Sequence, residues 1–403
     1  MTPPRSSPAP TVTPQPATFD AIVVGARVAG AATAMLLAQG GLDVLVLDRA
    51  RAGADPLSTH ALMRGGVLQL RRWGLLDRIV DAGTPPVRRT VIHYGDDAEA
   101  IAISPKAGVD SLYNPRRTVL DPLLVEAATA AGAHVRFGAD VRTVHRDGSG
   151  RVTGVTYRDR DGRTRSANAA TTIGADGRRS LVARSVGARD DVSGQQSSAV
   201  LYGYWSGIQV DGDEWFYRPG VAAGLIPTNR QQVGVWVSTS SARFNADFRG
   251  DPKVSFARLL RLAAPDLVDR VARGTQVERL RGHLGAPGYM RQAWGPGWAL
   301  VGDAGYLKDP ITAHGITDAM RDAELLADAV AVAVQHRVDG DDALAAYQRT
   351  RDELSTRMFF TADAVASYDW DLARLRDLLI EQSREMSREA LAISALNRQA
   401  VAA

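Results

Sequence analysis

Residues 20–49 read DAIVVGARVAGAATAMLLAQGGLDVLVLDR, and this stretch constrains the fold more than any other. Ala21–Val24 is a short apolar run ending at Gly25, as a buried parallel strand ends. Ala31–Gln39 is rich in helix formers and is stopped by Gly40–Gly41. Val44–Leu47 is a second apolar strand, closed by Asp48. Strand, helix and strand within about 30 residues make one βαβ unit. The turn Gly25-Ala26-Arg27-Val28-Ala29-Gly30 fits G-x-G-x-x-G with Arg27 in place of the middle glycine. In that pattern the first glycine makes the tight turn, the second admits a pyrophosphate and the third packs helix on strand. Asp48 ends the second strand, where a carboxylate binds a ribose hydroxyl. The unit reads as a dinucleotide site, with Arg27 adding charge toward the phosphates. The alternative is a plain βαβ unit with a small-residue turn.

Composition removes several competing classes. The chain has no cysteine, which excludes thiol catalysis, zinc ribbons and iron–sulfur ligation, and no metal ligand set is assigned. Its 48 basic and 45 acidic residues leave a net charge of +3, without the excess expected of a nucleic-acid binder. The 403 residues suffice for two domains with an appendage. Residues 1–18 are rich in Pro, Ser and Thr and are expected to form a disordered tail. The apolar run around Leu325–Val334 is broken by Asp328 and is too short to cross a bilayer. The expectation is a soluble cytoplasmic protein.

Two later segments repeat the strand-then-acid pattern. Trp298–Asp303, WALVGD, is an apolar strand ending in Gly302-Asp303, followed by AGYLKDPITAHGIT and a helix. A helix N-terminus there points its N–H groups at an electron-rich ligand. Ile173-Gly174-Ala175-Asp176-Gly177 is another strand ending in Asp-Gly.

The ordered set of three motifs resembles the p-hydroxybenzoate hydroxylase family of FAD-dependent aromatic monooxygenases. Arg64-Gly65-Gly66-Val67-Leu68 and Arg117-Thr118-Val119-Leu120 resemble two further family segments, in which the arginines contact the FAD. The resemblance implies a cofactor set of Gly25, Arg27, Val28, Ala29, Gly30, Asp48, Arg49, Arg64, Arg117, Asp176, Gly302 and Asp303. It extends this set through Pro310, Ala313, His314, Gly315 and Ile316. Asp303 is implied to bind the ribityl chain, and the backbone near Gly315–Thr317 the N1/C2=O edge of the flavin. Tyr306 and Thr317 stand where the family has His and Asn, and the arginine after the DG motif falls one position late, at Arg184.

The implied fold is α/β: a Rossmann-like FAD domain of the glutathione-reductase type, an inserted antiparallel substrate sheet and C-terminal helices. The expected boundaries are 19–86, 115–190 and 283–340 for the FAD domain, 87–114 and 191–282 for the substrate domain, and 341–403 for the helices, in which no chemistry is legible. Residues 196–240 are rich in aromatics at strand and hairpin spacing. Tyr202, Tyr204, Trp215 and Tyr217, with Pro310, are the candidate walls of an apolar substrate pocket, and a packed core is the alternative reading. His60, beside Ser58 and Thr59, and His314 are the candidate bases.

The resemblance implies a monooxygenase that hydroxylates a small aromatic or heteroaromatic substrate through the flavin C4a-hydroperoxide, consuming NADH or NADPH and O2. N-oxidation and denitration are variants of that reaction. A possible homodimer is the only protein partner expected; no nucleic acid or membrane is. Three alternatives stand beside it. A flavin-dependent halogenase is disfavoured because Ala222-Ala223-Gly224-Leu225-Ile226-Pro227 lacks both tryptophans of W-x-W-x-I-P. A reductase of the geranylgeranyl-reductase type and a non-catalytic flavin-binding protein are the others.

Overall fold

The computed structural model of the chain describes residues 16–58, 60–335 and 340–400. The tail expected over 1–18 lies outside the described residues as far as residue 15, and the first strand already begins at Ala17. Thr59 is likewise outside them.

An eight-stranded sheet forms the first layer. Its centre is Ala17–Val24, parallel to Val44–Asp48 on one side and to Thr164–Gly174 on the other. His134–Phe137 and Trp298–Leu300 extend the parallel set outward. Parallel strands need crossovers, and the helix Val28–Gln39 is the first of them. That helix is Ala- and Gly-rich and buried on nearly every side, because helices Arg117–Ala130 and Gly315–Gln335 flank it. The antiparallel strands Asp140–Arg146 and Val152–Arg158 run off the start of Thr164–Gly174.

A second eight-stranded sheet draws on Arg89–Ala102 and Ser198–Leu284. It is antiparallel except for one junction, where Asp213–Arg218 runs parallel to Arg89–Tyr94. That junction departs from the antiparallel expectation because Arg89–Tyr94 lies far from Asp213–Arg218 in the chain and is not joined to it by a hairpin. Strand alternation divides the aromatic residues. Leu201, Trp205 and Phe216 face the helices of 241–273, packing on Phe256, Leu259 and Leu267. Tyr202, Tyr204, Tyr217 and Trp236 face the opposite way, onto Ile311, Val365, Tyr368, Trp370, Leu375 and Leu378. The helices Gly340–Ala366 and Leu372–Ala400 thus close the inner face of the second sheet. Burying a side chain the size of Trp370 contributes about 3 kcal/mol.

Candidate functional site

The site is a consequence of the parallel strands. Val24, Asp48, Gly174 and Leu300 all end at the same edge of the first sheet, the carboxyl edge at which open α/β sheets bind ligands. Gly25, Asp48, Asp176 and Asp303 follow those ends, so motifs far apart in sequence meet there. They open onto one cavity of about 900 Å³, also lined by Arg27, Val28, Ala29, Arg49, Arg117, Pro310, Ala313, His314, Gly315 and Ile316. Gly30 and Gly302 serve by packing rather than by lining. A Cβ on Gly30 would strike the Gly25 carbonyl, and one on Gly302 would meet the Ala29 methyl at 2.7 Å.

Each acid has a distinct environment. Asp48 accepts the Ala26 N–H at 2.7 Å and the Ala50 N–H at 2.7 Å. It pins the fingerprint turn as well as facing the cavity, a role the sequence pattern did not signal. Asp176 accepts the Leu181 N–H at 2.6 Å, and its Oδ1 is buried without a partner among the described residues. Burial raises the pKa of Asp176. Burial also raises Asp303, while Arg117, Lys308 and Arg178 pull it back. Arg117 is itself held by Asp121 through two bonds, at 2.6 and 2.9 Å.

The loop after Asp303 is tightly built. Asp309 accepts the Ile311 N–H at 3.0 Å and, across the domain junction, the Ser198 N–H at 2.7 Å. Ala313 takes the left-handed conformation, φ 51°, which turns the chain into helix Gly315–Gln335. Lys308 is buried, pairs with Asp318 and lies 4.9 Å from the Tyr306 ring. Burial and the nearby Arg321 lower its pKa to about 7.

On the substrate side the outcome is mixed. His60 lines the cavity in the left-handed region, φ 51°, with Nε2 2.9 Å from the Tyr204 hydroxyl. Burial and Arg116 push its pKa down to about 3. Burial thus favours the neutral form of His60, which the hydrogen bond to Tyr204 holds in place. His314 points Nε2 at Glu389, 2.5 Å away, so its bonded nitrogen faces the protein rather than a substrate. Of the four aromatic candidates only Tyr202 lines the cavity; its hydroxyl accepts the Ser58 N–H at 3.0 Å. Tyr204 sits behind it under the Arg116 guanidinium, 3.5 Å from the ring centre. Trp215 pairs with Trp236 and Tyr217 with Trp370, so both belong to the closed core. Arg64 stands outside the cavity: its guanidinium donates to the carbonyls of Val109 at 2.7 Å and Ser104 at 2.8 Å, stapling a loop.

The cavity fits FAD on features of its own. Arg27 Nη1 is buried without a partner among the described residues, beside the Gly25–Gly30 turn at the cavity. A Cβ on Gly315 would meet nothing within 4 Å, so the backbone there is open to a flat ligand. Asp303 supplies an acceptor for a polyol. Among the described residues no helix is long and apolar enough to cross a membrane.

Comparison with known proteins agrees with this geometry. The chain is 28% identical over 388 residues to digeranylgeranylglycerophospholipid reductase 1 of Methanopyrus kandleri, covering 92% of this chain and 96% of the relative. In structure it resembles the flavin-dependent brominase Bmp2, with TM-score 0.78 and 18% identity over 95% of this chain and 98% of the other. It also resembles PqsL, a probable FAD-dependent monooxygenase from Pseudomonas aeruginosa, with TM-score 0.76 and 22% identity over 90% of this chain and 99% of the other. A profile described as FAD binding domain matches residues 18–362. The chain belongs to this FAD-binding family and is an FAD-dependent oxidoreductase.

Proposed function

We propose that this enzyme is a monooxygenase that hydroxylates a small aromatic or heteroaromatic compound, with NADH or NADPH as reductant and O2 as co-substrate. The carrying observation is the closed aromatic face of the second sheet. Val365, Tyr368, Trp370, Leu375 and Leu378 fill it, and Tyr202, Val200, His60, Ala61, Leu307 and Pro310 line the cavity. A flat ring fits such a space better than a long chain. Bound FAD supplies hydride acceptance and oxygen activation. The chain's own residues bind and orient. Asp303 holds the polyol, Arg27 the pyrophosphate, and neutral His60, fixed by Tyr204, offers a hydrogen bond to a ring substituent. The apolar wall excludes water.

The test is reconstitution with FAD, followed by NAD(P)H oxidation against phenols, anilines and indoles with mass analysis of products. Ligand-stimulated oxidation with a product one oxygen heavier supports the reading. Hydrogenated prenyl chains would support a second reading, reduction, which the full-length likeness to the M. kandleri reductase favours. A brominated or chlorinated product formed with reduced flavin and halide would instead make it a halogenase. Flavin binding with no turnover of any kind would make it a non-catalytic flavoprotein.

A further inference from the structure

The C-terminal helix Leu372–Ala400 makes contacts of two kinds. Leu375 and Leu378 close the aromatic sheet face, while Ile393 joins the core of the FAD-binding layer. Between them stands Glu389, 3% exposed. Its Oε2 lies 2.5 Å from His314 Nε2, and its Oε1 accepts from Arg321 Nη1 at 2.7 Å. Arg321 also binds Asp322, Asp318 and Ser355 Oγ. Lys308 binds Asp318. The groups facing His314 are therefore Glu389 from the C-terminal helix, Asp318 and Arg321 from its own helix, and Lys308 from the preceding loop. Tyr306 and Asp322 complete the cluster.

Two consequences follow from elementary chemistry. A carboxylate only accepts, so the proton on His314 resides on Nε2. Burial lowers the pKa of His314 while Glu389 beside it pulls the other way, and Nδ1 is buried with no partner among the described residues. Burial alone would raise Glu389, but His314 and Arg321 bring it down to about 2, so it is ionised. The cluster gathers three acidic side chains, Asp318, Asp322 and Glu389, around Lys308 and Arg321. Of the three, Glu389 alone reaches His314 from the C-terminal helix, behind the loop that leads into Gly315 and Ile316.

We propose that Glu389 is a positioning residue for the cofactor loop. It accepts the His314 Nε2 proton in a hydrogen bond, ties the loop to the C-terminal helix, and sets the electrostatic environment of the bound flavin through its carboxylate. The inference rests on FAD occupying the cavity and is independent of the reaction assigned above.

The test is a redox titration of the FAD-loaded full-length protein and its Glu389→Gln variant. Gln keeps the shape and removes the charge, which favours the more negative reduced flavin. The expected shift is about tenfold in the equilibrium constant, or about 30 mV more positive for a two-electron couple. A shift below about threefold overturns the proposal. Leu378→Ala loosens the same helix without changing charge and should leave the potential unmoved; an equal shift in that variant would make the effect merely structural and also overturn it. Should Glu389→Gln not fold, the wild type still decides. The imidazole nitrogen resonances of His314, identified as those lost in His314→Asn, should report a protonated Nε2 between pH 6 and 8. The opposite tautomer refutes the proposal. If wild-type protein takes up no FAD, the cofactor placement fails rather than the role of Glu389, which the tautomer measurement then judges alone.

Discussion

At Asp303 one carboxylate faces the cavity at a strand end, held there through space by Arg117, Lys308 and Arg178. Removing it should cost the cofactor and not the fold. A hydrogen bond to a charged group contributes roughly 1.5–3 kcal/mol, so Asp303→Ala should weaken FAD binding by roughly 10- to 100-fold, measured by flavin fluorescence titration. The melting temperature of the apoprotein should not fall; full flavin occupancy in the variant would contradict the placement. His60 makes a pH-dependent contribution of defined sign. Its pKa is lowered from 6.5 to about 3 in the folded protein, so the unfolded chain binds the extra proton between those values. Stability is fully present above pH 6.5 and is lost as pH falls toward 3. From pH 7 to pH 5 the loss attributable to His60 is about 2 kcal/mol. Urea unfolding of wild type and His60→Gln at both pH values measures it; equal losses in the two proteins would show that His60 does not titrate in this way.

Two glycines separate folding from binding at the scale of the element. Gly30 opens the fingerprint helix, and its Cβ would collide with the Gly25 carbonyl and crowd Ala175 at 3.1 Å. Gly30→Ala should therefore lower both stability and FAD affinity. Gly315 begins the helix Gly315–Gln335, and a Cβ there meets no protein atom within 4 Å. Gly315→Ala should keep or raise the apoprotein's melting temperature, because Ala is favoured over Gly in a helix by up to about 1 kcal/mol, while weakening FAD. Calorimetry with a flavin titration separates the two; an unchanged FAD affinity in Gly315→Ala would move the ligand away from this helix start. The same contrast explains what was legible in sequence. The βαβ unit and the strand-end acids declare themselves by local periodicity and spacing, and the structure gathers them at one sheet edge. Arg64, read from its motif as a flavin contact, is claimed instead by loop carbonyls at Ser104 and Val109. Tyr204, Trp215 and Tyr217 have the right strand phase, but helices far along the chain cover that face. Glu389 gave no signal because it acquires its meaning from partners on other elements. Glu389 lies in the helical region where no chemistry was legible.

At the scale of the whole molecule the cavity belongs to both sheets. The first supplies Gly25, Asp48, Asp176 and Asp303; the second supplies Val200, Tyr202 and His283. Arg178 Nη1 and His283 Nε2 meet across the junction at 2.8 Å, and Asp309 reaches Ser198. The C-terminal helix touches both layers again through Leu378 and Ile393. A ligand in this cavity therefore stabilises the layers jointly. Free FAD at 100 times its dissociation constant adds about 2.7 kcal/mol to a folded state that alone binds it. Differential scanning calorimetry should show one transition that moves upward as a whole with FAD. Two transitions, of which only one responds, would mean that the sheets melt separately and that the bonds across their junction do not couple them.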